Sequence, residues 1–265
     1  MSGRVGSARA QGSRIYYDGY GADELRRMLS LPRLELFDSV GSTLDVAHGV
    51  AEQGAPAGTL VVADAQTAGR GRAGKSWASA PSAGIWLTLV ERPTDAAALE
   101  VLSLRLGLHA ARALDRFADA TVALKWPNDL YVSGRKLAGI LTEARWRNGR
   151  PEWVAVGFGL NVTAPRGVPG AGLRPGPARV SVLRELVPAL RAAAAARGEL
   201  SPADLAAYAE RDWARGRACT APERGVVEGI SSRGELLVAT ASGSVRARGG
   251  SLVLEAGPCE KEGAP

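Results

Sequence analysis

The chain has 265 residues, 46% of them hydrophobic, and a formal net charge of +6 at pH 7. This length suits one large domain with a small additional module, and the basic balance suggests acidic partners, although a basic surface without functional meaning stays an alternative. The chain has only two cysteines and no C-x-x-C motif, which argues against a zinc site and a disulfide framework. It also contains neither a secretory signal nor a run of about 18 apolar residues, the length that a transmembrane helix needs.

The first half of the chain is predicted to alternate helices with buried strands. Residues 1–14 are small, polar and basic, which predicts disorder. Ser42 precedes an apolar pattern of helical period, so it is predicted to cap a helix that ends near Gln53. The other predicted elements here are a helix at 22–30, strands at 33–40, 59–66 and 84–92, and a long helix at 95–117.

The second half is predicted to end in a separate small module. Two or three strands are predicted within 122–146, followed by a strand at 151–162 and helices at 181–197 and 201–213. Several short strands with tight turns then indicate an SH3-like β-barrel. Because strict βαβ alternation is missing, we predict an α+β fold with a mixed sheet. The predicted domain bounds are 15–213 for the larger domain, 214–256 for the barrel and 257–265 for a tail.

A glycine- and arginine-rich segment at 66–77, QTAGRGRAGKSW, contains the letters of a P-loop from Gly69 to Ser76. A P-loop needs a strand that runs directly into its first glycine and a helix that begins at its Lys-Ser end. Here DAQTA intervenes, and WASAPSAG follows where a helix should begin, so we reject that interpretation. The interleaved glycines and cations still indicate an anion site, because guanidinium groups bind phosphate oxygens well. A solvated basic loop is the alternative.

Five motifs together resemble those of the biotin–protein ligases in order and spacing. They are GSTLDVA from Gly41, the segment at 66–77, KWPNDLY from Lys125, GRKLAGILTE from Gly134 and VGFGLNV from Val156. The resemblance covers about residues 33–255, and the joint occurrence of G-R-G-R-x-G-x-x-W, K-W-P-N-D and K-L-A-G-I-L is specific. The Arg-Arg-x-x-Gly-Gly-Gly signature of the lipoate ligases, which share the fold, is absent, and this favours biotin.

The resemblance implies a fold and a reaction. The fold is a class II synthetase-like catalytic domain with a mixed sheet, followed by the SH3-like barrel. Biotin and ATP are the substrates, with Mg²⁺. The biotin carboxylate attacks the α-phosphate to give biotinyl-5′-AMP and pyrophosphate, and a lysine of a biotin carboxyl carrier domain then takes the biotin and releases AMP. The task of such an enzyme is mainly positioning and charge stabilisation.

The family motifs imply a role for each matching residue. Those implied to bind biotin are Ser42, Thr43, Gln66, Gly69, Arg70, Gly71, Arg72, Lys136, Gly139, Ile140, Leu141, Gly157 and Gly159. Those implied to bind the nucleotide are Arg70, Arg72, Trp77, Asn128, Lys136 and Asn161. The implied catalytic groups are Arg72, Lys136 and Asp129, of which Asp129 also lies at the Mg²⁺ end. We further expect residues 69–76 to be disordered without ligand and to fold over bound biotin, because their cations repel one another.

The chain departs from the family pattern at three positions. Leu44 stands where many members have Asn, so one polar contact near biotin is lost or made elsewhere. Ala73 and Lys75 stand where arginine is common, which alters how firmly the adenylate is held.

Only residues 1–32 precede the catalytic strand, too few for the DNA-binding helix-turn-helix of some members. We therefore expect ligase activity alone in the cytoplasm, without membrane association or sequence-specific DNA binding, and a homodimer stays open.

Several residues keep a structural alternative. Trp126 and Pro127 can pack a strand end, Asn128 can satisfy a turn, and Gly157 and Gly159 can be bulge glycines. Lys125 is either an ion-pair partner or a ligand contact, and His48 and His109 are predicted to be structural.

A nucleic-acid-binding protein is the rival class, supported by the charge and by the VRARGGS segment. It lacks the exposed aromatic residues among basic ones that stacking on bases requires.

Overall fold

The computed structural model describes residues 16–93 and 95–255. Its strands, numbered in chain order, are β1 (Tyr16–Tyr17), β2 (Tyr20–Gly21), β3 (Leu34–Val40), β4 (Thr59–Gln66), β5 (Gly84–Glu91), β6 (Ala123–Lys125), β7 (Asp129–Val132), β8 (Arg135–Arg147), β9 (Arg150–Asn161), β10 (Ala218–Ala221), β11 (Gly225–Ile230), β12 (Leu236–Thr240), β13 (Gly243–Ala247) and β14 (Val253–Leu254). The α-helices are α1 (Ala22–Met28), α2 (Thr43–Glu52), α3 (Ala96–Glu100), α4 (Leu102–Leu114), α5 (Arg179–Ala195) and α6 (Pro202–Ala209). Residues 1–14 and 257–265, for which we predicted a disordered segment and a tail, lie outside the described residues, as does Cys259.

The larger sheet has the strand order β3-β4-β5-β9-β8-β7-β6. The β3–β4 pair is parallel, and the other neighbouring strands are antiparallel. A parallel pair needs a crossover between its strands, and α2 supplies it. The sheet therefore confirms the predicted α+β class with a mixed sheet.

The two faces of this sheet are covered by different elements, because successive side chains of a strand point to opposite faces. On β4, Leu60 and Val62 belong to the large core that contains α4 and α5, whereas Val61 belongs to a smaller cluster with Leu44 and Ala47 of α2. The helix α2 begins where predicted, since the Ser42 hydroxyl accepts a hydrogen bond from the backbone N–H of Leu44. The helix α2 thus lies on the face of the sheet opposite α4 and α5, against β4, β5 and β9.

The long helix predicted at 95–117 is interrupted. Asp95 caps α3 by accepting hydrogen bonds from the N–H groups of Ala97 and Ala98, and α3 ends at Val101, whose backbone has φ −104° and ψ 3°. The chain resumes as α4 and closes with a 3₁₀ turn at Asp115–Phe117. The apolar period continues across the break, because Val101, Leu102 and Leu104 all enter the same core.

The C-terminal strands form an antiparallel sheet in the order β13-β12-β11-β10-β14. The SH3-like barrel that we predicted is not confirmed, because no closed barrel is found in the described part of the chain, where β13 and β14 lie at opposite ends of this order. The predicted boundary near residue 213 does not separate two cores, since Val227, Leu236 and Leu252 join the large core. The Trp126 indole also donates to the carbonyl of Gly234, at 2.9 Å. The C-terminal sheet is thereby held against the larger one. Among the described residues, the structure contains no helix long and apolar enough to cross a membrane.

Candidate functional site

A cavity of about 700 Å³ lies between the start of α2, the loop after β4, strands β8 and β9, and the C-terminal sheet. Sixteen of the predicted site residues line it: Ser42, Thr43, Gln66, Arg70, Gly71, Arg72, Trp77, Asn128, Asp129, Lys136, Gly139, Ile140, Leu141, Gly157, Gly159 and Asn161. Gly69 is the exception. A Cβ at that position would lie 2.6 Å from the carbonyl oxygen of Trp77 and 2.9 Å from Ser79 Oγ, so Gly69 packs behind the loop and does not line the cavity.

The cavity floor is made of strand glycines. Gly157 and Gly159 alternate along β9 with Val156 and Phe158, which point into the large core. Their pairing with β5 and β8 continues without a register shift, so the bulge interpretation is wrong. A Cβ on Gly159 would lie 2.6 Å from the Trp77 ring. The absence of a side chain there therefore lets the indole lie directly on the sheet.

The end of the cavity next to α2 is polar and carries no charge. The Gln66 side-chain oxygen accepts from both the backbone N–H and the hydroxyl of Thr43, at 2.9 and 3.1 Å. Gln66 Nε2 donates to Ser79 Oγ at 2.8 Å, and the Thr88 hydroxyl donates to the Thr43 hydroxyl at 2.9 Å. The four side chains thus form one hydrogen-bonded network, which holds each of them in a fixed orientation.

Two further residues of this end have a clear structural task. Ser42 is only 2% exposed, and its hydroxyl already caps α2. Leu44, where many biotin–protein ligases have Asn, is 4% exposed and packs in the smaller apolar cluster under α2. A Cβ on Gly157 would lie 3.2 Å from its side chain. The departure from the family pattern therefore replaces a polar group with an apolar wall.

The loop after β4 folds back on itself. Gly71 N–H donates to the carbonyl of Lys75 at 2.7 Å, and Trp77 N–H donates to the carbonyl of Gly69 at 2.8 Å. Between them, Arg72–Gly74 form a short 3₁₀ turn in which Ala73 has φ 53°. No helix begins between Ser76 and the start of β5 at Gly84, all of which is described. The structure therefore confirms that this segment is not a P-loop.

Arg72 reaches across the cavity from this loop. Its Nη1 lies 3.4 Å from the side-chain oxygen of Asn128, and Asn128 Nδ2 donates to the carbonyl of Ile140 at 2.6 Å. Asn128 follows the cis Trp126–Pro127 bond. Its amide thus satisfies a strand carbonyl and meets an arginine, and the contact with a nucleotide stays a prediction.

Lys136 has two partners at the centre of the cavity. Its Nζ lies 2.7 Å from Asp129 Oδ1 and 5.0 Å from the centre of the Trp77 ring. The backbone carbonyl of Lys136 accepts from Asn161 Nδ2, at 3.5 Å. The indole N–H of Trp77 is buried and has no hydrogen-bond partner within the described residues.

An aromatic and cationic cluster at the mouth of the cavity escaped the sequence analysis. The rings of Tyr131 and Trp213 stack with their centres 4.6 Å apart. Lys125 Nζ lies 5.4 and 5.5 Å from the two ring centres, and the Arg217 guanidinium lies 4.2 Å from that of Trp213. All four residues line the cavity. The structure adds cation–π contacts for Lys125, and the ion-pair role with the nearby Asp129 and the ligand-contact role both stay open.

Burial changes the titration of this cluster. It lowers the pKa of Lys125 from its ordinary value, although the nearby Asp129 acts in the opposite direction. It also raises the pKa of Tyr131 to about 12, with a further contribution from Asp129. Tyr131 is therefore neutral at physiological pH. The cluster presents cations on a neutral aromatic platform, which suits an anionic ligand.

Both histidines lie on helices, as predicted, and neither lines this cavity. Burial lowers the pKa of His109, and Arg112 acts in the same direction. His48 bonds to a carboxylate on β8, at Glu143. The site thus contains cations, hydroxyls and amides but no histidine that could act as a general base at a bound ligand.

Comparison with known proteins gives a consistent result. Residues 36–161 match the family model described as "Biotin/lipoate A/B protein ligase family". The chain is 40% identical over 126 residues to the bifunctional ligase/repressor BirA of Bacillus subtilis and 39% identical over 137 residues to the biotin–[acetyl-CoA-carboxylase] ligase of Mycobacterium tuberculosis. These matches cover 47% and 49% of this chain.

The match in three dimensions extends further along the chain. The biotin protein ligase of Aquifex aeolicus in complex with biotin and ATP superposes with a TM-score of 0.68 at 24% identity, covering 85% of this chain and 99% of that one. This likeness shows the fold. The chain spans 39% of the length of the Bacillus relative and 50% of the Mycobacterium one.

Proposed function

Residues 36–161 of the chain match the model of the biotin/lipoate A/B protein ligase family, and on this premise we propose that the chain is a biotin–[acetyl-CoA-carboxylase] ligase. It would make biotinyl-5′-AMP from biotin and ATP and transfer the biotin to a lysine of a carrier domain. One observation supports this most directly. A single cavity joins an uncharged polar end at Thr43 and Gln66 to an end that contains Arg72 and Lys136.

The uncharged end suits the head of biotin. The ureido group has both N–H donors and a carbonyl acceptor, and the hydroxyls and amide around Thr43, Gln66 and Ser79 offer complementary groups. The apolar part of the bicyclic head would lie against Leu44 and the glycine floor. The head of lipoate, a dithiolane, would leave unused the donor and acceptor positions that remain on these groups, and sites that hydrogen-bond their substrate reject such analogues strongly.

The cationic end suits the first reaction step. The carboxylate of biotin attacks the α-phosphorus, the bond to the bridging oxygen breaks, and pyrophosphate leaves. Negative charge grows on the phosphoryl oxygens and on the leaving group. Arg72 and Lys136 would stabilise it, since fixed charges in a partly dry site need little reorganisation. Arg70 would face the carboxylate, and Trp77 and Asn161 would contact the adenine.

Mg²⁺ fits the residues present. Mg²⁺ in nucleotide sites is commonly held by one or two carboxylates together with substrate phosphates. Asp129 lines the cavity and would be the protein's carboxylate ligand. The bound ion would neutralise phosphate charge. Asp129 is paired with Lys136 at 2.7 Å, so nucleotide binding would exchange this contact for contacts of each residue with the ligand.

In the second step the amine of the carrier lysine attacks the carbonyl carbon of the mixed anhydride, the amine loses a proton, and AMP leaves. The cavity mouth, formed partly by Trp213, Arg217 and Leu252, would admit the lysine side chain. The mouth cluster would also meet the outer phosphates of ATP. We also propose that the reaction takes place in the cytoplasm.

Biotin-dependent release of pyrophosphate tests this proposal. The purified chain is given MgATP with biotin, with lipoate or with neither, and then a biotin carboxyl carrier domain. We expect pyrophosphate only with biotin and labelling of the carrier lysine. No biotin-dependent pyrophosphate and no labelled carrier would contradict the proposal. An oligonucleotide that raised the melting temperature, where biotin with ATP did not, would favour the nucleic-acid-binding class.

A further inference from the structure

Arg70 lines the cavity, but both carboxylates that hold it lie outside the cavity wall. Its Nη1 lies 2.5 Å from Asp45 Oδ1, and its Nη2 lies 3.5 Å from Glu143 Oε1. Asp45 is in the first turn of α2 and Glu143 is on β8. The hydrogen bond to Asp45 raises the pKa of Arg70 above its ordinary value, so the guanidinium keeps its charge. Two separate segments therefore converge on one side chain of the loop.

The second carboxylate oxygen of Glu143 is hydrogen-bonded to His48. His48 Nε2 lies 2.8 Å from Glu143 Oε2, and the Trp153 indole N–H donates to His48 Nδ1 at 2.9 Å. An indole nitrogen can only donate, so Nδ1 accepts and the proton of the imidazole lies on Nε2. His48 therefore donates to Glu143. Trp153 is 5% exposed and fixes this chain of contacts to the smaller apolar cluster.

We propose that Asp45 and Glu143 are positioning residues that hold Arg70, and with it the loop of residues 69–76, against the cavity, while His48 and Trp153 orient Glu143. The inference rests on the proposed function, in which Arg70 faces the biotin carboxylate. The loop also carries Arg72 and Lys75, and these like charges repel one another. Two carboxylates at the base of the loop offset this repulsion.

The geometry leaves Arg70 free to bind a ligand at the same time. A guanidinium has five N–H groups, and the two carboxylates use one on each terminal nitrogen. The side chains of Arg70, Asp45 and Glu143 are 39%, 60% and 35% exposed, so each pair contributes modestly. The anchor therefore biases the loop toward the closed position without locking it.

A positioning role of this kind changes binding more than chemistry. Removal of the anchor makes the closed loop less populated before the ligand binds, but Arg72 and Lys136 make the same contacts once the loop has closed over the ligand. Interactions that are equal in the ground state and the transition state alter KM and leave kcat unchanged. Loss of the anchor should therefore raise the KM for biotin at nearly constant kcat.

The test uses the full chain with Asp45→Asn and Glu143→Gln combined. The matched control is Glu152→Gln, which breaks an exposed pair with Arg147 at 3.1 Å on the same hairpin. We expect the KM for biotin to rise about threefold to tenfold in the double variant, with kcat within about twofold, and no change in the control. His48→Phe should raise KM as well, and His48→Gln, which keeps a donor toward Glu143, should raise it less.

Hydrogen exchange of the loop amides in the ligand-free protein gives a second readout that needs no activity. Exchange in residues 69–76 should be faster in the double variant than in the wild type or the control. If the wild type released no biotin-dependent pyrophosphate but the loop exchanged faster in the variant, the proposed function would fail and the anchor would stand. Unchanged KM and unchanged exchange would overturn the anchor. A fall in kcat at constant KM, or an equal rise of KM in the control, would also overturn it.

Discussion

The two ends of the cavity are built on opposite principles. At the uncharged end, Thr43, Gln66 and Ser79 satisfy one another through hydrogen bonds of 2.8 to 3.1 Å, so this end is preformed. At the charged end, the cations lie on loops or strand ends. Without a ligand they can pair with protein carboxylates, as Lys136 does with Asp129. If the chain binds biotin and ATP as proposed, recognition of the uncharged head needs little rearrangement, whereas binding of the phosphates needs an exchange of ion-pair partners.

The largest effect is expected at Lys136, which lines the cavity beside Asp129 and Trp77. Lys136→Ala should lower kcat/KM for adenylate formation by about a hundredfold to a thousandfold, as removal of a group that stabilises transition-state charge does. Lys136→Arg should not restore activity, because its head is larger and planar and the space between Asp129 and Trp77 is narrow. Steady-state pyrophosphate release measures both variants. Near-normal kcat in Lys136→Arg would show that only charge matters there.

The second-largest effect is expected at Arg72. Arg72→Ala removes a charge-assisted contact worth about 1.5–3 kcal/mol, so turnover should fall by about tenfold to 150-fold. The adenylate should also escape, because the loop no longer holds it. Biotinylation of bystander lysines, compared with an Arg166→Ala control on another loop, reports the escape. Tight retention of the adenylate together with normal turnover would show that Arg72 has no role in the site.

A change at the uncharged end should act differently. Thr43→Val removes the hydroxyl that bridges Gln66 and Thr88, at a cost of about 0.5–1.5 kcal/mol. The KM for biotin should rise several-fold while the KM for ATP stays constant, because the loss is confined to the preformed end. Initial rates over a grid of both substrates separate the two constants. An equal rise in both would erase the distinction between the two ends.

The smallest effect is expected at Lys125. Lys125→Met should raise the KM for ATP only a few-fold, since Lys75 and Arg217 remain near the phosphates. The lowered pKa of Lys125 means that its charged form is disfavoured in the folded state, so Met should raise the melting temperature at pH 7. That gain should shrink as pH rises through the lowered pKa toward 10.5, because the wild-type lysine then loses its charge as well. Melting curves at several pH values check the sign, and a gain that grows with pH would contradict it.

The sequence identified the residues of the uncharged end and of the loop that line the cavity, because they lie within short motifs. The disorder expected of residues 69–76 rested on charge repulsion alone and left out the ion pairs of Arg70 with Asp45 and Glu143. It missed Tyr131, Trp213 and Arg217, since their contact joins segments far apart in the chain and no local pattern marks it. It missed the anchor of Arg70 for the same reason, as Asp45 and Glu143 come from α2 and β8. The break at Val101 was missed because the apolar period continues through it. The predicted barrel rested on turn spacing, which does not determine whether the ends of a sheet close.

Adenylate formation without an acceptor tests the central claim most directly. The purified chain is incubated with MgATP labelled at the α-phosphate and with biotin or lipoate, and the products retained on the protein are separated. The account predicts a labelled biotinyl-5′-AMP that requires biotin, is absent with lipoate and is nearly lost in Lys136→Ala. Labelled adenylate formed equally well with lipoate, or none with biotin in a correctly folded protein, would contradict it.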